Sequence, residues 1–179
     1  VLGAEVYSSA GDAFTHVAVR EYFDLDDEDA LKYCDVSGSH DKGVDAAWFD
    51  DENRRMVVVQ AKWANTEKSF QKDAVADVER AYRWLIRIGA GTSVAAAPRV
   101  IDAAHQLRDL REAEPDYRVQ LFAIAPGSFT RGAREEATRV NDELVRTTAE
   151  VTLVSLDDLL AEIERRLDRD LGFRPNARP

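Results

Sequence analysis

The chain has 179 residues, of which 45% are hydrophobic and 32% charged, with only five prolines; this excludes a collagen, a disordered tail or a linker array and fits one globular domain with a real core. The net charge of −10 argues against a protein that coats nucleic acid. No apolar run approaches the roughly 20 residues that cross a bilayer, and Val1-Leu2-Gly3-Ala4-Glu5 has no basic region leading into an apolar one, so no membrane partner is expected.

In chain order, Phe14, Val17, Val19, Tyr22 and Phe23 recur at roughly helical spacing and predict an amphipathic helix over about 10–23. The acidic run Asp24, Asp26, Asp27, Glu28 and Asp29, followed by Ala30-Leu31-Lys32-Tyr33, reads as a loop with a helical turn, and 37–43 as a turn-rich loop. Residues 44–49 and 55–63 are β-rich runs separated by Asp50-Asp51-Glu52-Asn53-Arg54, a hairpin pattern. Val75, Val78, Tyr82, Leu85 and Ile88 predict a long helix over about 67–88, closed by Gly89 and Gly91. A helix over 100–110, a strand over 117–125, a helix over 131–147, a strand over 151–154 and a helix over 156–171 follow. Strands alternating with helices after a hairpin predict an α/β class with a mixed central sheet flanked by helices. One domain over 1–173 is expected. The start at Val1 and the tail 174–179 are read as the trimmed ends of a longer protein.

The acid is unevenly placed. Residues 1–59 hold 14 acidic and 5 basic side chains, whereas residues 60–179 hold 20 and 19. A carboxylate excess is either a solvated face or a cation site. The single cysteine, Cys34, cannot form an internal disulfide, which places the chain in a reducing cytoplasm; it is read as a packing residue.

Strand side chains alternate faces, so Gln60 and Lys62 point to one side, with Asp45 on the neighbouring strand. A carboxylate, an amide oxygen and an ammonium then converge at a strand end, either as a structural Asp45–Lys62 ion pair or as chemistry. The full string is Asp41-Lys42-Gly43-Val44-Asp45, then Val57-Val58-Val59-Gln60-Ala61-Lys62. It resembles the active-site hairpin of the PD-(D/E)xK nuclease superfamily in its Mrr-like form, with Gln replacing the second acid. From Asp12-Ala13-Phe14 through Trp63 it is most similar to the amino-terminal nuclease domain of abortive-infection phage-resistance (AIPR) proteins.

The resemblance implies a restriction-endonuclease-like fold and a Mg²⁺-dependent hydrolase of phosphodiester bonds, with Mn²⁺ as a substitute. DNA is favoured over RNA, in prokaryotic anti-phage defence, with a second copy of the chain or a defence-system protein as partner. Asp45, Gln60 and Lys62 are the implied catalytic residues. The metal ligands would be Asp45, the Gln60 side-chain oxygen, the Ala61 carbonyl and an acid from the first helix. Asp12 best matches that acid, although it serves equally as a helix N-cap; the Mrr-type pattern would place Glu where this chain has Thr15, and Glu21 and Glu5 are the fallback acids. Mg²⁺ suits such a set because it needs only one or two carboxylates. Lys62 would position the attacking water, take its proton or stabilise the developing charge.

Lys68 and Lys72, near the following helix, and His40, in the loop before Asp45, are candidate phosphate contacts, although Asp73, Asp77 and Glu79 interrupt the positive field. His16 and His105 lack metal-site spacing, Trp48, Trp63 and Trp84 read as core, and Gly89-Ala90-Gly91-Thr92 lacks the lysine of a P-loop. Two rival readings stand: a catalytically inactive nuclease-like fold that binds nucleic acid or assembles, and a small-molecule α/β enzyme whose Asp45–Lys62 pair is structural.

Overall fold

The computed structural model describes residues 7, 9–34, 42–64 and 69–171. Its core is a four-stranded mixed sheet of β1 (Ala46–Asp50), β2 (Arg55–Ala61), β3 (Arg118–Ile124) and β4 (Ala149–Val154), in that spatial order. β1 and β2 are the antiparallel hairpin; β2, β3 and β4 run parallel. The expected α/β architecture, a mixed sheet with helices on its faces, is what forms.

β2 is buried on both faces, and its side chains sort by the period of two. Met56 and Val58 meet α3 (Asp73–Gly89), α4 (Pro98–Ala113) and α5 (Arg131–Leu144) in one core. Val57 and Val59 meet α1 (Ala10–Phe23), α2 (Asp27–Cys34) and α6 (Leu156–Asp170) in the other. The stripe Val75, Val78, Tyr82, Leu85 and Ile88 of α3 is fully or nearly fully buried. Each such aliphatic side chain contributes about 1.5–3 kcal/mol by leaving water.

Helix ends follow local chemistry. Ser9 caps α1 by accepting the Asp12 N–H at 3.1 Å, and Ser155 and Asp158 cap α6 reciprocally. The cap of α1 is therefore Ser9, with Asp12 inside the first turn, contrary to the N-cap reading of Asp12.

Two boundaries differ from the sequence reading. The acidic run nucleates a full helix, α2, because Asp27, Glu28 and Asp29 fill its first turn, where the helix dipole favours negative charge. The long helix starts at Asp73, since Phe70 is drawn into a parallel bridge with Phe129. Gly89 closes α3, as expected. It is the last helical residue and lies against α4, where a Cβ would come within 2.7 Å of the Ala104 carbonyl. No described helix is long and apolar enough to cross a membrane. The 174–179 tail and most of the 37–43 loop lie outside the described residues.

Candidate active site

The site forms at the carboxyl end of β2, the end of a parallel sheet where crevices open. The β1–β2 register pairs Ala46 with Val59, and the Asp45 N–H extends it by donating to the Val59 carbonyl at 2.9 Å. Asp45 therefore stands beside Gln60. Lys62, just past β2, keeps strand geometry because its N–H donates to the Ile124 carbonyl of β3 at 2.8 Å.

Asp45, Gln60 and Lys62 line one open cavity of about 350 Å³, together with Lys42, Gly43, Asp77, Arg80 and Trp84. The expected convergence of the hairpin residues is present. Asp45 Oδ2 accepts the Gln60 Nε2–H and, at 2.7 Å, the Ala61 backbone N–H. Two donors on one oxygen fix the carboxylate on the strand pair. Gln60 is buried, and its Oε1 points at Gly43, whose φ of +81° lies in the left-handed region. A Cβ there would sit 2.7 Å from Gln60 Oε1, so only glycine lets the chain pass so close to the amide.

The partner of Lys62 is a surprise. Its Nζ donates to Asp77 Oδ2 of α3 at 2.5 Å, in place of the Asp45–Lys62 pair weighed from the sequence, and Arg80 holds Asp77 Oδ1 at 2.9 Å. Asp77 is thus the second carboxylate of the arrangement, bridging Lys62 to the exposed Arg80. Sequence reasoning treated Asp77 only as an interruption of positive charge. The signal that could have found it is the spacing Asp77, Arg80, Trp84, which puts all three on one face of α3.

Three expected residues do not join the cavity. Asp12 is absent from its lining, although α1 begins nearby: a Cβ on Gly11 would touch the Trp63 Cβ at 3.7 Å, and Phe14 meets the Trp63 ring at 5.5 Å. Glu21 is engaged by Arg20 and by Arg166 of α6. Burial alone would raise its pKa, but the bonds from the two arginines prevail and hold it below the ordinary glutamate value. Lys72 is exposed ahead of α3, where its charge acts on Glu136 of α5. Lys68, His40 and Glu5 lie outside the described residues.

The other aromatic and titratable residues divide. Trp48 is core, stacked on Tyr33, whereas Trp63 is 45% exposed and Trp84 lies at the cavity rim. Burial, and then the nearby charge of Asp45, push the Cys34 thiol up to about 12, in keeping with a packing role. His16 is buried with Nδ1 on the Tyr7 hydroxyl, and His105 contacts Arg108.

The chain matches no family model. No curated protein or solved structure matches it significantly either.

The donor set can be tested against the metal that the motif implies. Among the described residues no three His, Cys, Asp or Glu side chains gather into a ligand cluster. What the cavity offers is all oxygen: the Asp45 carboxylate, the Gln60 amide oxygen cradled by Gly43, and the Asp77 carboxylate. Hard oxygen donors with one or two carboxylates fit Mg²⁺ or Mn²⁺, and the described residues that line the cavity include no histidine or cysteine to favour a softer ion.

Proposed function

We propose that the chain is a metal-dependent nuclease domain of the PD-(D/E)xK type, in its Gln-x-Lys form, which hydrolyses phosphodiester bonds of DNA in a prokaryotic anti-phage setting. The observation that carries this reading is the meeting of Asp45, Gln60 and Lys62 in one open cavity at the hairpin's end. A buried structural ion pair accounts for it less well, because Lys62 is reached from the cavity and its carboxylate partner comes from another element.

Asp45 and the Gln60 side-chain oxygen would hold the ion, and the bond from Ala61 to Asp45 keeps that carboxylate in place. Bound Mg²⁺ supplies a Lewis acid for the phosphoryl oxygen and a water acidic enough to attack at neutral pH. Lys62 brings a positive charge to the reacting phosphate and stabilises the charge that builds on its oxygens. Asp77 fixes the lysine's Nζ, so the ammonium is aimed before substrate arrives. Asp77 is a positioning residue in this scheme.

The test is incubation with plasmid and oligonucleotides in Mg²⁺, Mn²⁺ and EDTA. Metal-dependent cleavage that EDTA abolishes is expected. Binding of DNA with no cleavage under any metal would move the assignment to an inactive nuclease-like binding module.

A further inference from the structure

The α3 face beside the cavity has a use that the hairpin motif does not describe. Helical spacing puts Arg80, Trp84 and Arg87 on one face of α3. Lys42, from the segment before β1, reaches across so that its Nζ lies 5.4 Å from the Trp84 ring centroid, and the Arg87 guanidinium lies 4.8 Å from the same centroid.

These contacts differ from those of most arginines in the molecule. Arg20, Arg54, Arg55, Arg83, Arg139, Arg166 and others are in ion pairs with carboxylates. Among the described residues Lys42 and Arg87 rest on an indole ring and make no ion pair. An aromatic ring orders a cation through its quadrupole but adds no negative charge, so the field of the cation survives.

Of the acids that interrupt this field, Asp77 is shared between Lys62 and Arg80, one cation on each oxygen, and Glu79 is buried against Arg83 and toward Arg139 of α5. Asp73 stands two turns from Arg80, at the start of the helix. In the cavity lining Lys42, Lys62 and Arg80 face Asp45 and Asp77, and Arg87 adds a further cation on the Trp84 ring, a local positive excess in a chain of net charge −10.

We infer that the Arg80–Trp84–Arg87 face of α3, with Lys42, is a subsite that grips the phosphodiester backbone of the DNA strand entering the cavity. Trp84 acts there as the platform that aims two cations at phosphates. The inference builds on the nuclease reading but concerns binding, and its test needs no metal and no cleavage.

Anisotropy of a fluorescein-labelled DNA oligonucleotide is titrated in EDTA across low to moderate salt. Arg80→Ala and Arg87→Ala should each weaken binding about 3- to 10-fold at low salt and flatten the slope of log Kd against log salt by about 0.7–0.9, the share of one lost phosphate contact. Trp84→Ala should behave like Arg87→Ala although it removes no charge, whereas Trp84→Phe, which keeps a ring, should retain most of the affinity. Arg131→Ala, on the 92% exposed side chain of α5, should bind as wild type. Should Trp84→Ala fail to fold, Lys42→Ala and Trp84→Phe carry the same comparison. Wild-type slopes for Arg80→Ala and Arg87→Ala, an equal loss for Arg131→Ala, or no DNA binding by the wild type would overturn the inference. Salt slopes altered as expected in a protein that cleaves nothing would leave the subsite standing and remove the nuclease reading alone.

Discussion

Gly43→Ala separates two effects that a glycine substitution usually confounds. The first is backbone strain: at φ +81° an L-residue costs about 1–2 kcal/mol. The second is displacement, since the new Cβ would stand 2.7 Å from Gln60 Oε1. The amide is the end of a flexible side chain, but it is buried and its Nε2 is spent on Asp45, so it moves only by giving up that charge-assisted bond, worth about 1.5–3 kcal/mol. Gly91 supplies the control, with a similar φ of +87° and nothing within 4 Å of its would-be Cβ. Urea unfolding should therefore show Gly91→Ala losing about 1–2 kcal/mol and Gly43→Ala about 2.5–5 kcal/mol. In a Gln60→Ala background the excess at Gly43 should vanish. Equal losses at the two glycines would refute the claim that Gly43 exists to admit the Gln60 amide.

Other consequences follow from the same geometry. Asp45→Asn should weaken Mg²⁺ or Mn²⁺ binding in calorimetric titration by more than Asp12→Asn does, and equal affinities for wild type and Asp45→Asn would show that this carboxylate is not a ligand. Asp77→Asn should fold normally yet lower cleavage by about tenfold, with Asp77→Glu restoring part of it, because the lysine loses its anchor and not its charge. Glu21→Gln should cost about 0.5–1.5 kcal/mol, because the bond from Arg166 at the α1–α6 contact loses its charge while Arg166 keeps Asp24 as a partner. The depressed Glu21 pKa gives the sign of its pH effect: its stabilisation is complete above the unfolded value of 4.5 and is lost as pH falls through the lower folded value, so wild type should lose in acid what Glu21→Gln has already lost. Cys34, half-buried and with its thiol pushed up to about 12, should resist alkylation at pH 8 in the native chain and react on unfolding; rapid native labelling would contradict the raised pKa.

The legible parts of this chain are those set by local pattern. The β2 alternation, the α3 stripe and the hairpin spacing each depend on neighbours in sequence, and they placed Asp45, Gln60 and Lys62 in one cavity. What the sequence hid depends on packing at a distance. Asp77 follows Lys62 by 15 residues, and nothing in its own neighbourhood says that α3 lays it over the strand end. Trp84 reads as core because indoles usually are, until Lys42 and Arg87 are found on its ring. Phe70 looks helical by period but is taken by Phe129 of a distant loop. Asp12 read as a cap or a ligand equally well, and only the Ser9 bond removed the first of these.

The central claim is that the Asp45–Gln60–Lys62 cavity is a catalytic site. The most direct measurement is the time course of labelled DNA cleavage in saturating Mg²⁺ by wild type and Lys62→Ala, with circular dichroism confirming that both fold. Folding should survive, because Lys62 is partly exposed and Asp77 keeps Arg80 as its partner when the lysine is gone. Cleavage by wild type, and a loss of about a hundredfold or more in the folded variant, is the result expected of a group that acts on the reacting phosphate. Undiminished cleavage by folded Lys62→Ala would contradict the claim.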